Sequence, residues 1–229
     1  TKELVEYNQQ LEQFAFISAH NLRAPVARIL GLGNLLELIK SEPSEEYKIV
    51  SQLVFSTREL DTVIKDLNTI LALRKDNISI LTDVNLAEEL RLVKMNLEKE
   101  ILETKTSINE DFSRAPFIRT IKPYLDSILI NLVSNAIKYR HRGRCPVIQI
   151  KSEIVANCTC LMVHDNGLGI DLELYQEKLF TLYSRFHNHV DGKGMGLYLV
   201  KTQVASLGGR IEVESEIDRG TTFRIFFKR

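Results

Sequence analysis

The sequence predicts a chain of the α plus α/β class in two parts: an antiparallel helical hairpin that forms a dimeric four-helix bundle, and then an α/β sandwich. Apolar residues recur at whole helical turns over about the first 40 residues, and at seven-residue intervals in a second stretch. Beyond residue 83, helical stretches alternate with runs of period two. The boundary is therefore expected at about residues 77–83, and it separates a hairpin domain, 1–80, from a sandwich domain, 81–229.

The first predicted helix runs from residue 1 to about residue 40, and its apolar residues share one face. At 100° per residue these residues fall within about 20° of one direction. They are Leu4, Leu11, Leu22, Ile29 and Leu36. A turn at 41–44 leads to a second helix, to about Asp76, in which Leu53, Leu60 and Leu67 repeat every seven residues. Because a two-helix contact cannot bury both apolar stripes, we expect a second copy of the chain to complete the bundle as a homodimer.

The sandwich domain is predicted to place a helix layer on a mixed sheet. Asn85 and Glu88 have capping-box spacing for a helix to about Leu102, and Pro123 lies near the first turn of a helix to about His141. The other predicted elements are strands 106–112, 147–154 and 159–164, a helix 195–207 ended by two glycines, and a closing hairpin of strands 210–216 and 221–227.

The charge balance and the cysteine count argue against several classes of function. The chain has 30 Lys plus Arg and 30 Asp plus Glu, so it lacks the basic field that dominates nucleic-acid binding. Three cysteines without metal-site spacing indicate neither a disulfide framework nor a zinc centre, and they favour a cytoplasmic setting. The sequence opens in helical pattern without Met, which suggests a fragment of a longer protein. Its longest apolar stretch, 29–39, is too short to cross a bilayer, so no membrane contact is expected within this fragment.

His20 is the first residue with chemical potential. It lies about 180° from the apolar direction set by Leu11 and Ile29, so it is expected to face solvent. Pro25 follows inside the helix, where it removes a hydrogen bond at a cost of roughly 3 kcal/mol. A proline at this position therefore indicates a local structural or functional role. A kink beside an exposed imidazole suits a nucleophile that meets a donor carried by another domain. The alternative is a surface histidine without a special role.

Three segments of the sandwich domain carry polar or glycine-rich patterns. Helical spacings of four and three put oxygen donors and a cation on one face, with an aromatic ring beside them. These residues are Asn131, Asn135, Lys138 and Tyr139. Segment 165–171 follows a strand directly, and its glycines permit close backbone approach. Segment 192–196 leads into a helix and presents N–H groups to an anion such as phosphate, without the spacing of a P-loop or a dinucleotide fingerprint. A solvated helix face and an ordinary Asp-Gly turn are the alternatives for the first two.

Taken in order, these segments resemble the sequence boxes of the sensor histidine kinases of two-component signalling. The catalytic domain of that family has the GHKL, or Bergerat, ATPase fold. The similar segments are the H box at 20–25, the N box at 131–139, the first glycine box at 165–169, the Phe-containing box at 178–186, and the second and last glycine boxes at 192–196 and 220–223. The resemblance covers nearly the whole chain.

The resemblance implies a role for each matched residue. Asn135 is implied to coordinate a Mg²⁺ ion that bridges the ATP phosphates, with Asn131 supporting that site. Lys138 is implied to neutralise phosphate charge, Tyr139 to lie beside the nucleotide, and Asp165 to accept a hydrogen bond from the adenine amino group. The other residues of the implied ATP site are Gly167, Gly169, Arg185, Gly192, Gly194, Gly196, Leu197 and Thr222. In the family, the glycines of 192–196 belong to a lid over the phosphates.

The implied reaction transfers the γ-phosphoryl group of ATP to His20, the phosphoacceptor, and then to an Asp on a separate response-regulator receiver domain. The next position, also implied to be catalytic, usually holds Glu or Asp, whereas this chain has Asn21, which can orient the imidazole but is a poor base. Ala24 replaces the Thr or Asn associated with receiver dephosphorylation, and Asp218 replaces a common Gly. The alternatives are a nucleotide-binding dimeric signalling scaffold with weak or no kinase activity, and another ATPase of the same fold.

Overall fold

The computed structural model describes residues 22, 25–34, 48–54, 56–57, 60, 64, 81–181 and 195–229. The chain divides into two compact units, Thr1–Lys75 and Asp76–Arg229. In the first unit, the described residues are helical, as their apolar spacing predicts; they are 22, 25–34, 48–54, 56–57, 60 and 64. The rest of the predicted hairpin lies outside the described residues, and the four-helix dimer stays a prediction. Within the described ranges, no helix is both long and apolar enough to span a bilayer.

The second unit combines a mixed five-stranded sheet, a two-stranded sheet and a layer of helices. Its strands are β1 (Thr82–Asn85), β2 (Ser107–Asp111), β3 (Phe117–Thr120), β4 (Val147–Val155), β5 (Cys158–Asp165), β6 (Arg210–Glu216) and β7 (Gly220–Lys228). Its helices are α1 (Leu86–Asn96), α2 (Glu98–Thr104), α3 (Lys122–Lys138), α4 (Leu172–Tyr175), which a 3₁₀ turn (Gln176–Lys178) follows, and α5 (Gly196–Ser206).

The large sheet has the strand order β2-β4-β5-β7-β6, and β1 pairs with β3 separately. Strand β2 runs parallel to β4 because the chain between them crosses over through β3 and α3. The other pairs of the large sheet are antiparallel. Between β4 and β5 the chain reverses at Ala156-Asn157, and Ala156 adopts a left-handed φ of 53° to close the two-residue turn. The mixed sheet confirms the predicted fold of this domain.

One face of the large sheet packs against α1, α3 and α5 to form the core. Helix α3 contributes most, since its apolar residues recur every three or four positions. Its buried residues are Leu125, Ile128, Leu129, Leu132, Val133, Ala136 and Ile137. From the sheet, alternate residues such as Val163, Phe223 and Ile225 point into the same cluster. The C-terminal end of α3 and the C-terminal end of β5 are thereby held near each other, and that is where the polar site lies.

The structure differs from the sequence-based expectation at several elements. The helix predicted from Asn85 to Leu102 ends at Asn96, and α2 follows after Leu97. The apolar spacing continues through the break, and nothing in the local sequence explains it. Helix α3 ends at Lys138 rather than His141, because the Tyr139 carbonyl oxygen instead accepts a hydrogen bond from the backbone N–H of Leu168, at 2.9 Å. Strands β1 and β3 were not expected from the sequence.

Candidate functional site

Two distant segments of the chain meet helix α3 at different levels. Near the middle of α3, the side chain of Asn131 lies against the first residue of α5, so that a Cβ on Gly196 would fall 2.6 Å from Asn131 Oδ1. At the C-terminal end, the loop after β5 packs on Tyr139, and a Cβ on Gly167 would fall 2.6 Å from the Tyr139 carbonyl oxygen. Both contacts require glycine, and they bring the predicted N box and parts of both glycine boxes together.

Asp165 is the central acid of the site. It ends β5 on the face of the sheet that carries Val163, and its Oδ1 accepts a hydrogen bond of 2.8 Å from the backbone N–H of Gly167. Burial raises the pKa of Asp165, and this effect outweighs hydrogen bonds from the N–H groups of Gly167 and Thr221 and the charges of His164 and Arg144. A half-buried carboxylate that keeps unused acceptor positions suits a ligand that brings its own N–H donor.

Strand alternation separates Thr221 from Thr222. Thr221 is opposite Asp165 in the β5–β7 register and is buried, with its Oγ1 2.8 Å from the hydroxyl of Ser215. Thr222 points to the other face of the sheet, where its Oγ1 lies 2.9 Å from Nδ1 of His164. The structure therefore does not bring Thr222, the residue chosen from the sequence, to the site. Thr221 occupies that place.

The carboxamides of Asn131 and Asn135 lie one turn apart on a half-buried face of α3. Asn131 Nδ2 donates to the carbonyl oxygen of Ser127 at 2.8 Å, and this bond leaves Oδ1 turned toward Gly196. Amide oxygens are ligands that a hard divalent cation accepts in company with phosphate oxygens. The donor types on this face therefore fit Mg²⁺ bound together with a phosphate ligand.

Lys138 and Tyr139 follow on the last turn of the same helix. Both are half-buried, and Lys138 Nζ lies 5.3 Å from the centroid of the Tyr139 ring. The ring thus stands next to a cation, while the backbone carbonyl group of Tyr139 contacts the loop that starts at Asp165. This arrangement joins an apolar wall to a positive charge at one end of α3.

Helix α5 begins at Gly196, and its N-terminus has no side-chain cap because the preceding residue is Met195. Leu197, in the first turn, is half-buried and packs partly against the core. Gly169 adopts a left-handed φ of 70°, with its Cα close to the backbone of Glu216. The remaining predicted site residues, His20, Asn21, Arg185, Gly192 and Gly194, lie outside the described residues.

Two residues missed by the sequence analysis organise the loop after β5. Asn166 accepts a hydrogen bond from the backbone N–H of Val147 at 2.8 Å and donates to the carbonyl oxygen of Cys145 at 3.0 Å. Arg144 donates to the carbonyl oxygens of Asn166, at 2.6 Å, and Gly167, at 2.8 Å, and also to that of Asp218. The basic run 140–144 is the only sequence signal for Arg144, and it does not reveal what the side chain binds.

Residues 121–229 match the family of histidine kinase-, DNA gyrase B- and HSP90-like ATPases. The chain is 28% identical over 231 residues to the signal transduction histidine-protein kinase ArlS of Staphylococcus haemolyticus, and the match covers 97% of this chain and 49% of that protein. Residues 121–229 belong to this ATPase family. The chain is also 29% identical over 226 residues to cyanobacterial phytochrome A of Nostoc sp., a match that covers 96% of the chain and 29% of that protein.

The fold of the chain is shared with a solved structure of histidine kinase ThkA in complex with the response regulator protein TrrA. The two are 24% identical, with a TM-score of 0.76, and the match covers 97% of this chain and 63% of that one. At this identity the likeness shows the fold. The chain spans less than half the length of ArlS and less than a third of the length of the cyanobacterial phytochrome.

Proposed function

We propose that this chain is the core of a protein-histidine kinase that transfers the γ-phosphoryl group of ATP to His20. The observation that carries the proposal is the pairing of two binding features along α3. A half-buried carboxylate, Asp165, lies by the end of the helix at Tyr139, and the uncapped N-terminus of α5 lies at Asn131. The eight-residue separation is about 12 Å along the helix axis, the scale of an extended nucleotide.

In this proposal each end of the site recognises one end of ATP. The adenine amino group donates to Asp165, an interaction that guanine, with a carbonyl oxygen there, does not make. The Tyr139 ring covers one side of the base. At the other end, the N–H groups of the first turn of α5 offset phosphate charge, and Lys138, which lies beside Tyr139, contributes a further positive charge between the two ends. Asn135, with support from Asn131, would hold Mg²⁺, and the ion would supply further charge neutralisation on the phosphates.

The proposed transfer step forms a bond between a ring nitrogen of His20 and the γ-phosphorus, and breaks the bond from that phosphorus to the bridging oxygen of ADP. The nitrogen attacks with its lone pair, and the ring proton on the other nitrogen is lost to a base. Because Asn21 is a poor proton acceptor, the step is expected to be slow unless water or another residue takes the proton. The phosphoryl group would then pass to an Asp of a response-regulator receiver domain.

The remaining parts of the proposal concern the whole chain. Residues 1–80 would dimerise as a four-helix bundle that presents His20, and 81–229 would bind ATP. Arg185, Gly192 and Gly194 would contact the phosphates from the segment between α4 and α5. The ThkA complex with TrrA supports a receiver domain as the partner. The cytoplasm, where ATP is available and thiols stay reduced, is the proposed location.

The test is incubation with γ-labelled ATP and Mg²⁺, comparing wild type with His20→Gln and Asn135→Ala. We expect label that is stable to base and labile to acid, and absent from both variants. Asn21→Asp should increase the rate, since it restores a carboxylate beside the imidazole. If wild type and Asn21→Asp both bind ATP without becoming labelled, the dimeric nucleotide-binding scaffold replaces the kinase proposal.

A further inference from the structure

Arg144 lies in the loop between α3 and β4, outside every motif that the sequence analysis recognised. Its guanidinium nevertheless reaches three backbone carbonyl groups. Nε donates to Asn166 O at 2.6 Å, and one terminal nitrogen donates to Gly167 O at 2.8 Å and to Asp218 O. These carbonyls belong to two different segments, the loop after β5 and the turn between β6 and β7. A planar fork of donors suits such a task, and a lysine ammonium does not reproduce it.

The contact with Asn166 bears directly on Asp165. The carbonyl group of Asn166 and the N–H group of Gly167 belong to one planar peptide unit. Arg144 holds the oxygen of that unit, and its N–H donates to Asp165 Oδ1 at 2.8 Å. Fixing one side of a planar unit fixes the other, and a cation on the carbonyl side also polarises the N–H toward the carboxylate.

The turn between β6 and β7 is tied to the same loop from the other side. Asp218 has a left-handed φ of 60°, and its backbone N–H donates to the carbonyl oxygen of Leu168 at 2.7 Å. Its own carbonyl oxygen is the third acceptor of Arg144. The guanidinium thus closes a backbone network around the loop that carries Asp165.

We propose that Arg144 is a positioning residue of the nucleotide site, which orients the Asp165 carboxylate for the adenine amino group through the Asn166–Gly167 peptide unit. This inference rests on the proposed ATP-binding function. Arg144 does not touch the nucleotide in this account. It acts through the backbone, and it therefore affects the base end of the site irrespective of the phosphates.

The positive charge of Arg144 has a second measurable effect, on the pKa of Asp165. The groups acting on Asp165 are Arg144, His164 and the N–H groups of Gly167 and Thr221, and the Arg144 charge lowers the pKa of the carboxyl against the effect of burial. Adenine binding requires a hydrogen-bond acceptor at Asp165, which the ionised form supplies best. Removal of the Arg144 charge should raise the pKa and move the pH at which binding is half-lost upward.

The experiment compares wild type with Arg144→Met, Arg144→Lys and Arg142→Met in the full chain. Arg142→Met is the matched control because it removes the same charge from an exposed position of the same loop. NMR titrations with ATP and with adenosine, which has no phosphates, give the affinities over a range of pH, and thermal unfolding gives the stability of each variant.

We expect Arg144→Met to weaken ATP and adenosine binding by a similar factor, about three- to tenfold, as for the loss of a charged hydrogen-bond network at a partly solvated position. Its pH midpoint should rise. Arg144→Lys should keep the midpoint and lose affinity, and Arg142→Met should change neither. Loss of ATP but not adenosine affinity, or equal losses in Arg142→Met, would reduce Arg144 to a general charge and overturn the inference. Loss of stability with unchanged affinity and midpoint would overturn it as well. Failure of wild type to bind either compound would instead refute the proposed function.

Discussion

The contact between Gly196 and Asn131 offers a test in which two opposing effects can be separated. Gly196 is the first residue of α5, and its φ does not lie in the left-handed region, so alanine is acceptable to the backbone there. The added Cβ, however, would lie 2.6 Å from Asn131 Oδ1 and 3.4 Å from Asn131 Cγ. The Asn131 carboxamide cannot simply rotate away, because its Nδ2 is held by the carbonyl oxygen of Ser127 at 2.8 Å.

The magnitudes predict that the sign of Gly196→Ala depends on Asn131. Alanine in place of glycine at the first helical position favours the helix by about 0.5 kcal/mol, less than the roughly 1 kcal/mol found in helix interiors. Displacing Asn131 costs about 1 kcal/mol for its hydrogen bond and about 1 kcal/mol for an unfavourable rotamer. Gly196→Ala should therefore destabilise the wild type by about 1.5 kcal/mol and stabilise an Asn131→Ala background by about 0.5 kcal/mol, a coupling of about 2 kcal/mol.

Native-state hydrogen exchange in the full chain is the appropriate assay, because the slowest amides of α3 report global opening of the second unit without assuming that both units unfold together. All four proteins of the cycle are compared, and the free energies of opening give the coupling. The reasoning is refuted if Gly196→Ala changes stability with the same sign and size in both backgrounds. That outcome would mean that the Asn131 carboxamide can move away from the added Cβ with no loss of free energy.

Three further predictions follow from the site. Thr221→Val should weaken ATP binding about tenfold or more in an isothermal titration, because it disturbs the residue opposite Asp165. Thr222→Val, on the other face of the sheet, should leave the ATP affinity within about twofold of the wild type. The ATP affinity of the wild type should fall as the pH is lowered through the raised pKa of Asp165, since protonation removes the ionised acceptor. Asp165→Asn should bind ATP more weakly than the wild type, and its affinity should not show that pH dependence. Gly220→Ala should lower the free energy of opening in hydrogen exchange by about 3 kcal/mol or more, because φ is 121° and a Cβ would overlap the carbonyl group of Asp165. The control is Gly143→Ala in an exposed loop, which should change that free energy by less than about 0.5 kcal/mol.

The elements that the sequence could predict are those whose own residues carry a periodic signal. Helix α3 has an apolar residue at every third or fourth position, and β4 and β5 alternate over eight or nine residues, so each was located within a few residues. Strands β1 and β3 have four residues each, which is too short for a clear alternation. Their paired residues are 32 to 38 positions apart in the chain, from Asn85–Phe117 to Thr82–Thr120, so no turn signal links them. The end of α3 was misplaced because a tertiary contact, the Tyr139 carbonyl with Leu168, decides it.

In the site, too, residue type indicates some residues, whereas others depend on contacts that the sequence does not show. Motif order selected Asp165 and Asn131 by residue type, and the structure places both beside α3 or at its end. It also selected Thr222, which the structure places on the opposite face of the sheet from Asp165, because the face of a strand residue depends on the register with the neighbouring strand, here β5, which motif order does not contain. Arg144 could not be found because its partners are carbonyl groups, which every residue has.

The network around Asp165 makes nucleotide binding depend on the last strands of the chain. Asp165 receives hydrogen bonds from Gly167 and from Thr221, and the left-handed Gly220 lets β7 approach the Asp165 backbone closely. In the proposed site, the acceptor for adenine would therefore be oriented only when the hairpin of β6 and β7 has docked on β5. Because a ligand stabilises whatever structure it requires, by about 2.7 kcal/mol at a hundred times its dissociation constant, ATP should stabilise this hairpin as strongly as the loop that contacts the base. Binding at the base end and docking of the closing hairpin then form a single equilibrium, which explains why a residue as remote in sequence as Arg144 joins the two.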